Sequence, residues 1–413
     1  MWHAAGPEAL LALLESDEPG QDPDEPVPAA HARLALVARD AEEAATLRRA
    51  AAARLRETPD ADGFALPRGA YYRRRALDGG GKVAALFAGQ GSQYVGMGAR
   101  AALAVPPVAA AFDAAARHFA GERPLGRVVF APTAFDEETR ERQEAQLRRT
   151  DYAQPAIGAL AAGQYRYLNG LGFAPHGVLG HSYGELTALW AAGSLGDEDF
   201  FRLSRARGAA MAARPEGAED PGAMAAVKAG LDRVTELLAG HDDVVVCNVN
   251  APEQVVVGGG TEAVRAFVAA CAGAGVAARE LPVAAAFHTR YVTHAVEEFG
   301  AAVASARLRA PKIPVFANTP GASYGKRAAA NREVLVGQLA APVHFAPRVR
   351  EMYDAGYRVF VEFGPGRCCP AWSGPPSTAT TTSSCSAPTP GPAGTATVRS
   401  SSSRPTCSSW VCR

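Results

Sequence analysis

The stretch Gly180-His181-Ser182-Tyr183-Gly184-Glu185 constrains this chain more than any other. It has the G-x-S-x-G form of a nucleophile elbow. An apolar run precedes it (Gly177-Val178-Leu179) and a helical pattern follows (Leu186-Thr187-Ala188-Leu189-Trp190). Strand, turn and helix in that order are the context the motif requires, so the surrounding fold is expected to be α/β. Glycines on either side of Ser182 allow a cramped turn that lifts the hydroxyl off the sheet edge. The following helix aims its free N–H groups at the same spot. A hydroxyl placed there can attack an acyl carbon, with an oxyanion stabilised beside it.

A second glycine cluster follows the buried-strand run Val83-Ala84-Ala85-Leu86-Phe87, namely Ala88-Gly89-Gln90-Gly91-Ser92-Gln93. It is not a dinucleotide fingerprint, because the third glycine would fall at Tyr94. Strand and helix signals alternate from Lys82 to about residue 215. Residues 221–284 then read β-α-β-β-α-β: Ala223 to Val227, a helix near 231–239, Val244 to Val246, Gln254 to Val257, a helix near 261–274, and Val276 to Val283. That is the ferredoxin-like order. The main pattern resumes at Pro314 to Asn318 and ends on Val359 to Phe363. The expected architecture is an α/β-hydrolase-like large subdomain (82–220 and 285–366) with an inserted ferredoxin-like α+β subdomain (221–284).

Residues 1–81 form an N-terminal extension, read either as a small α/β unit or as a linker. The basic triplet of its Tyr71-Tyr72-Arg73-Arg74-Arg75 suits either an anionic partner or a solvated linker face, and the second reading is taken. Residues 367–413 contain no Asp, Glu, Lys, Leu, Ile or Phe and are dense in Ser, Thr, Pro and Cys. Such a segment is expected to be disordered. Back-translated with GC-rich codons and read in a shifted frame, its start becomes Val-Leu-Pro-Gly-Leu-Val-Gly. The tail is therefore read as frame-shifted, which sequencing of the gene across Gly366 would test.

Composition excludes several classes. The 42 basic and 42 acidic side chains balance, which argues against a nucleic-acid partner. No apolar run reaches membrane-spanning length, and Met1-Trp2-His3-Ala4 lacks the features of a secretory signal. The seven cysteines show no zinc spacing, so no metal is expected. A cytoplasmic location is expected.

Ser182 needs a base. Among nine histidines, His288 stands out because it follows the inserted unit, where the chain returns to the main subdomain. With it the chain resembles the acyltransferase domains of type I polyketide and fatty acid synthases, and malonyl-CoA:acyl-carrier-protein transacylases. Matching residues run in order from Phe87 to Gly366. They include Gly89-Gln90-Gly91-Ser92-Gln93, the elbow, Arg207-Gly208 with Met211, Asn248 and Asn250, Phe287-His288, Gln338-Leu339 with Pro342-Val343, and Glu362 to Gly366. Leu186 to Gly193 looks most like synthases of the polyunsaturated-fatty-acid type. Residues 29–81 resemble the linker between ketosynthase and acyltransferase.

The resemblance implies roles. Ser182 is acylated, His288 acts as base then acid, and Gln338 orients His288 through a carbonyl. Gln90 and the Tyr183 backbone N–H form the oxyanion hole. Arg207 pairs with the free carboxylate of a malonyl-type group, and Phe287 belongs to the malonyl-selective form of a specificity motif. No cofactor is bound; the substrates are malonyl-CoA and a phosphopantetheinylated acyl carrier protein, and ketosynthase or other synthase modules are further partners. Two departures stand out: Ala88 replaces a common proline, and the apolar helix expected after Gly366 is missing. The competing readings are an acyl hydrolase using the same elbow and an inactive fragment of a larger synthase.

Overall fold

Leu10 and Leu14, and Leu47, Ala51 and Leu55, recur at helical spacing, and all are buried. They lie on the helices Pro7–Glu15 and Ala41–Glu57. Asp40 starts the second helix by accepting the Glu43 N–H at 2.8 Å. In the computed structural model the described residues are 1–16, 18–20, 27–67, 69–76, 81–213 and 220–366. The described chain divides into two units, one of Met1–Lys82 with Gly170–Phe173, the other of Val83–Asn169 with residues 174–366.

In the first unit the two helices share a core with strands β1 (Trp2–Ala4), β2 (Ala32–Leu36), β3 (Gly63–Leu66) and β4 (Ala70–Arg73). The sheet is antiparallel in the order β1-β2-β4-β3. The basic triplet begins inside this sheet, with Arg73 closing β4 and Arg74 and Arg75 following it. Strand alternation turns Tyr72 into the core at 1% exposure, while Arg73 and Arg74 are half-buried and Arg75 is exposed. The tail beyond Gly366, read as disordered and frame-shifted, lies outside the described residues.

In the second unit β5 (Lys82–Phe87) and β6 (Gly177–Gly180) run parallel, with Phe87 opposite Gly180. The expected alternation between them is not observed. Among the described residues from Ala88 to His176 every regular element is helical. The longest helix, Thr150–Gly170, is buried on all sides over most of its length. Its apolar run therefore carries no amphipathic signature, and hydrophobicity alone does not separate it from a buried strand. Pro155 inside this helix frees the Asp151 carbonyl, which Arg205 Nη1 takes up at 3.1 Å.

The inserted part contains β7 (Ala223–Val227), β8 (Val244–Ala251), β9 (Gln254–Gly259) and β10 (Ala278–Glu280). Their antiparallel order, β10-β7-β9-β8, is ferredoxin-like. The helices Leu231–Leu237 and Thr261–Gly273 supply Val234, Val264, Phe267 and Cys271 to its core. The last strand is shorter than the Val276 to Val283 run, whose outer residues flank it as irregular chain. The chain then returns to the large sheet with β11 (Val315–Phe316) and β12 (Tyr357–Phe363), giving the order β11-β6-β5-β12. The large α/β part and the ferredoxin-like insert are joined at β8. Val249 N–H donates to the Val343 carbonyl and Val343 N–H to the Cys247 carbonyl, both at 2.8 Å. No described helix is long and apolar enough to cross a membrane.

Candidate active site

Parallel pairing of β5 with β6 brings their following loops to the same sheet edge. The approach is backbone to backbone. A Cβ on Gly89 would lie 2.3 Å from the His181 carbonyl oxygen, one on Gly184 2.2 Å from the Phe87 oxygen, and one on Gly180 1.9 Å from the Gly184 carbonyl carbon. No side chain fits at these positions, which is why both glycine motifs occur where they do. The loop carrying Gln90 and the elbow carrying Ser182 are thereby locked together.

Among the described residues only two non-glycine residues have positive φ, Ser182 at 52° and His288 at 63°. Such backbone is strained for residues of this kind and is held by its surroundings. The two meet: Ser182 Oγ lies 2.7 Å from His288 Nε2. On the other side of the ring, Nδ1 lies 3.1 Å from the Gln338 main-chain oxygen and 3.0 Å from that of Ala341. Both partners are carbonyls and can only accept, so Nδ1 carries the proton and Nε2 is bare. The bare nitrogen accepts the Ser182 hydroxyl proton. Burial first, then the charge of Arg207, pulls the His288 pKa down to about 3. The ring is neutral at ordinary pH and free to take a proton.

The elbow is held from below by residues to which sequence reasoning gave no such role. Ser182 N–H donates to Asn318 Oδ1 at 2.7 Å, and Asn318 Nδ2 donates to the Gly180 carbonyl at 2.7 Å. Glu185 Oε2 accepts the Asn318 N–H at 2.8 Å, and its Oε1 accepts the Tyr324 hydroxyl. Asn250, from β8, meets His181 Nε2 at 2.7 Å. The visible clue was the Asn318 position itself, just past a short strand beside β6; its side-chain role appears only in three dimensions.

Gln338 does two jobs. Its main chain faces His288, whereas its side-chain Nε2 donates to the Ser182 carbonyl at 2.6 Å and lies 3.4 Å from Glu185 Oε2. Its Oε1 accepts from Arg207 Nη2 at 2.9 Å. Arg207 is 1% exposed and forms no ion pair among the described residues. Its helix, Asp197–Ala212, comes close because Gly208 faces Thr150, where a Cβ would sit 2.5 Å from the carbonyl oxygen. Burial lowers the Arg207 pKa to about 10, so it remains charged.

Gln90 is half-buried and accepts from Gln154 Nε2 at 3.2 Å. The Tyr183 side chain points into the core against Gly158 and donates to Ser204 Oγ at 2.8 Å, because the Ser204 hydroxyl is spent on the Phe200 carbonyl. The Tyr183 backbone N–H precedes the Gly184–Ala191 helix and has no acceptor among the described residues, whereas that of Ser182 is taken by Asn318. Phe287 is buried beside His288.

The model of the acyl transferase domain family matches residues 85–366. The chain belongs to the acyl transferase domain family. It is 34% identical over 348 residues to a polyunsaturated fatty acid synthase protein of Thraustochytrium sp., covering 82% of this chain and 12% of that relative. The chain therefore spans about an eighth of that synthase protein. Its structure is similar to the acyltransferase domain from the second module of the salinomycin polyketide synthase, with TM-score 0.67 and 32% identity over 82% of this chain and 73% of that one. It is also similar to a malonyl-transacylase solved in complex with its type II polyketide synthase acyl-carrier protein, with TM-score 0.62 and 31% identity over 70% of this chain and 90% of that one.

Within this acyl transferase fold, two buried groups respond to pH in opposite senses. His288 falls from an ordinary 6.5 to about 3, so its contribution to stability is complete above pH 6.5 and is lost as pH falls toward 3. Burial raises Glu185 from 4.5 to about 7, so its contribution is complete below pH 4.5 and is lost as pH rises through 7. Between pH 7 and pH 5 each effect is worth about 2 kcal/mol, with opposite sign. Urea unfolding at the two pH values checks this. Relative to the parent, His288→Gln should gain about 2 kcal/mol on acidification and Glu185→Gln should lose about 2 kcal/mol. Equal pH dependence in all three proteins would show that neither group is perturbed.

Proposed function

We propose that the chain transfers a malonyl-type acyl group from coenzyme A to the phosphopantetheine thiol of an acyl carrier protein, through an ester on Ser182. The observation that carries this reading is the Ser182–His288 hydrogen bond, joined through Gln338 to the buried guanidinium of Arg207. A hydrolase of ordinary esters has no use for that cation. A dicarboxyl acyl group does, because a guanidinium binds a carboxylate in bidentate fashion.

The steps follow from the geometry. Ser182 Oγ attacks the thioester carbon while His288 Nε2 takes its proton. The oxyanion is received by the free Tyr183 N–H and by Gln90. The carbon–sulfur bond breaks, and the His288 proton leaves on the coenzyme A sulfur. The carrier thiol then repeats the sequence in reverse, giving its proton to His288, from which it returns to Ser182. Phe287 crowds substituents larger than those of malonyl, a preference worth about 1–3 kcal/mol per methyl. All the groups needed are protein side chains and amides, so no cofactor enters. Acyl carrier protein and, in a longer synthase, ketosynthase modules are the partners, and the site of action is the cytoplasm.

Intact-protein mass after brief mixing with malonyl-CoA tests the reading. A malonyl-sized adduct should form, should be weak with acetyl-CoA and should be absent in Ser182→Ala. Adding holo acyl carrier protein should discharge it faster than water does. Discharge by water at the same rate would favour a hydrolase. Folded protein that takes no label would favour the inactive fragment.

A further inference from the structure

Arg207 and Glu185 are both fully buried beneath the elbow, and Gln338 links them. Its Oε1 accepts from Arg207 at 2.9 Å and its Nε2 lies 3.4 Å from Glu185 Oε2. Four residues face the Glu185 carboxyl. Tyr324 and Asn318 come from the segment after β11, Gln338 from the end of the Ala328–Gly337 helix, and Arg207 from the Asp197–Ala212 helix. Arg207 is the cation of that set, and the Glu185 carboxylate is the anion that favours its charge. In the free protein one buried positive charge is thus balanced by one buried carboxylate through a shared amide.

A malonyl-type substrate brings a second carboxylate to the same guanidinium. Two anions and one cation in a water-poor site leave one negative charge uncompensated, which is strongly unfavourable unless one carboxylate is neutralised. The substrate carboxylate contacts the guanidinium directly, whereas Glu185 reaches it only through Gln338. We propose that Glu185 is the resident counter-charge of Arg207, and that binding of a dicarboxyl acyl group makes Glu185 take up one proton from solvent. The balance is simple: one carboxylate enters, one proton enters with it, and the net charge of the buried cluster is unchanged. Tyr324 is the partner that can adapt. Its hydroxyl donates to Oε1 when Glu185 is ionised and can accept once Oε1 is protonated, whereas the Asn318 N–H and the Gln338 amide can only donate. Burial already holds the carboxyl close to neutrality, near 7, so uptake at ordinary pH requires little further displacement. Glu185 is on this view a positioning residue that couples acyl selection to pH.

This inference rests on Arg207 as the carboxylate clamp, and the test separates the two. The full chain carrying Ser182→Ala binds acyl-CoA without chemistry. Calorimetry at pH 8 in buffers of different ionisation enthalpy counts the protons taken up. Malonyl-CoA should take up close to one more proton than acetyl-CoA, whose coenzyme A moiety is the same. The malonyl dissociation constant, relative to acetyl, should rise about fivefold from pH 7 to pH 8. Adding Glu185→Gln should abolish the excess proton and flatten the ratio. Equal proton counts for the two ligands, or an excess that survives Glu185→Gln, would overturn the proposal. If that variant does not fold, an infrared difference spectrum of the Ser182→Ala chain decides. A protonated-carboxyl band gained with malonyl-CoA but not acetyl-CoA supports the proposal, and its absence overturns it. Arg207→Ala checks the foundation. If the malonyl preference survives there, the clamp reading itself fails; if it is lost there while the Ser182→Ala chain with Arg207 intact shows equal proton counts for the two ligands, only the coupling fails.

Discussion

Replacing His288 with alanine should slow acylation by malonyl-CoA about 100- to 10,000-fold. The reason is the proton inventory of the pair. Ser182 Oγ has one acceptor aimed at it, His288 Nε2 at 2.7 Å, and two carbonyls on Nδ1 keep that nitrogen bare. Without the ring the hydroxyl must lose its proton to water, while the oxyanion donors, the thioester and the elbow are unchanged. The loss should therefore fall on the chemical step, with dissociation constants for acyl-CoA little altered. Single-turnover mixing with malonyl-CoA, read as acyl-enzyme mass against time, measures it. A slowing of less than tenfold in a variant of normal stability would mean that another base serves Ser182.

Removing the guanidinium should be nearly as severe, and selectively so. Arg207→Ala should lower kcat/KM for malonyl-CoA by about 30- to 5,000-fold, the equivalent of 2–5 kcal/mol for a buried charge pair broken on one side. Acetyl-CoA, which has no second carboxylate, should change far less, so the ratio between donors collapses. Lysine should restore only part of the loss, because an ammonium cannot reproduce the fork that meets two oxygens at once. Labelling rates for both donors on the parent, Arg207→Ala and Arg207→Lys decide the matter. A parallel fall for both donors would reassign Arg207 to holding Gln338, and through it the Ser182 carbonyl, in place.

The two pH-sensitive groups and the coupling proposed for Glu185 belong to one buried construction. Gln338 touches every part of it. Its main chain faces His288, and its amide reaches Ser182, Glu185 and Arg207. Nothing in the local sequence around Gln338 announces this. It is the capping residue of a short, ordinary helix, Ala328–Gly337, and its position above the elbow follows from the anchoring of Val343 on β8. Asn318 is similar. The strand before it is only two residues long, and the side chain acquires its role because β11 lies beside β6. Glu185 was visible in the motif but not as a buried acid, because a carboxyl in the first turn of a helix reads, in sequence, as a favourable charge at a helix N-terminus.

Local order was legible where it depends on neighbours in the chain. Glycines that must let backbones touch, the alternation of β7 to β10 with their two helices, and the strand–turn–helix around Ser182 are short-range patterns, and they appear in the fold. The helical stretch between Ala88 and His176 was misread because residues buried on every side lose the periodicity that reports a helix. The burial of Tyr72 was not legible, because strand alternation matters only once a sheet exists to take one face. The sequence by itself thus determined the elbow, the inserted ferredoxin-like unit and membership of the acyl transferase domain family, since motifs and element order survive in one dimension. Only the tertiary structure decided which nitrogen of His288 is bare, which amide holds the nucleophile, and that a lone guanidinium shares its burial with a single carboxyl. Hydrogen bonds and charge balance are set by distances across 50 to 156 residues of chain, and no local pattern encodes them.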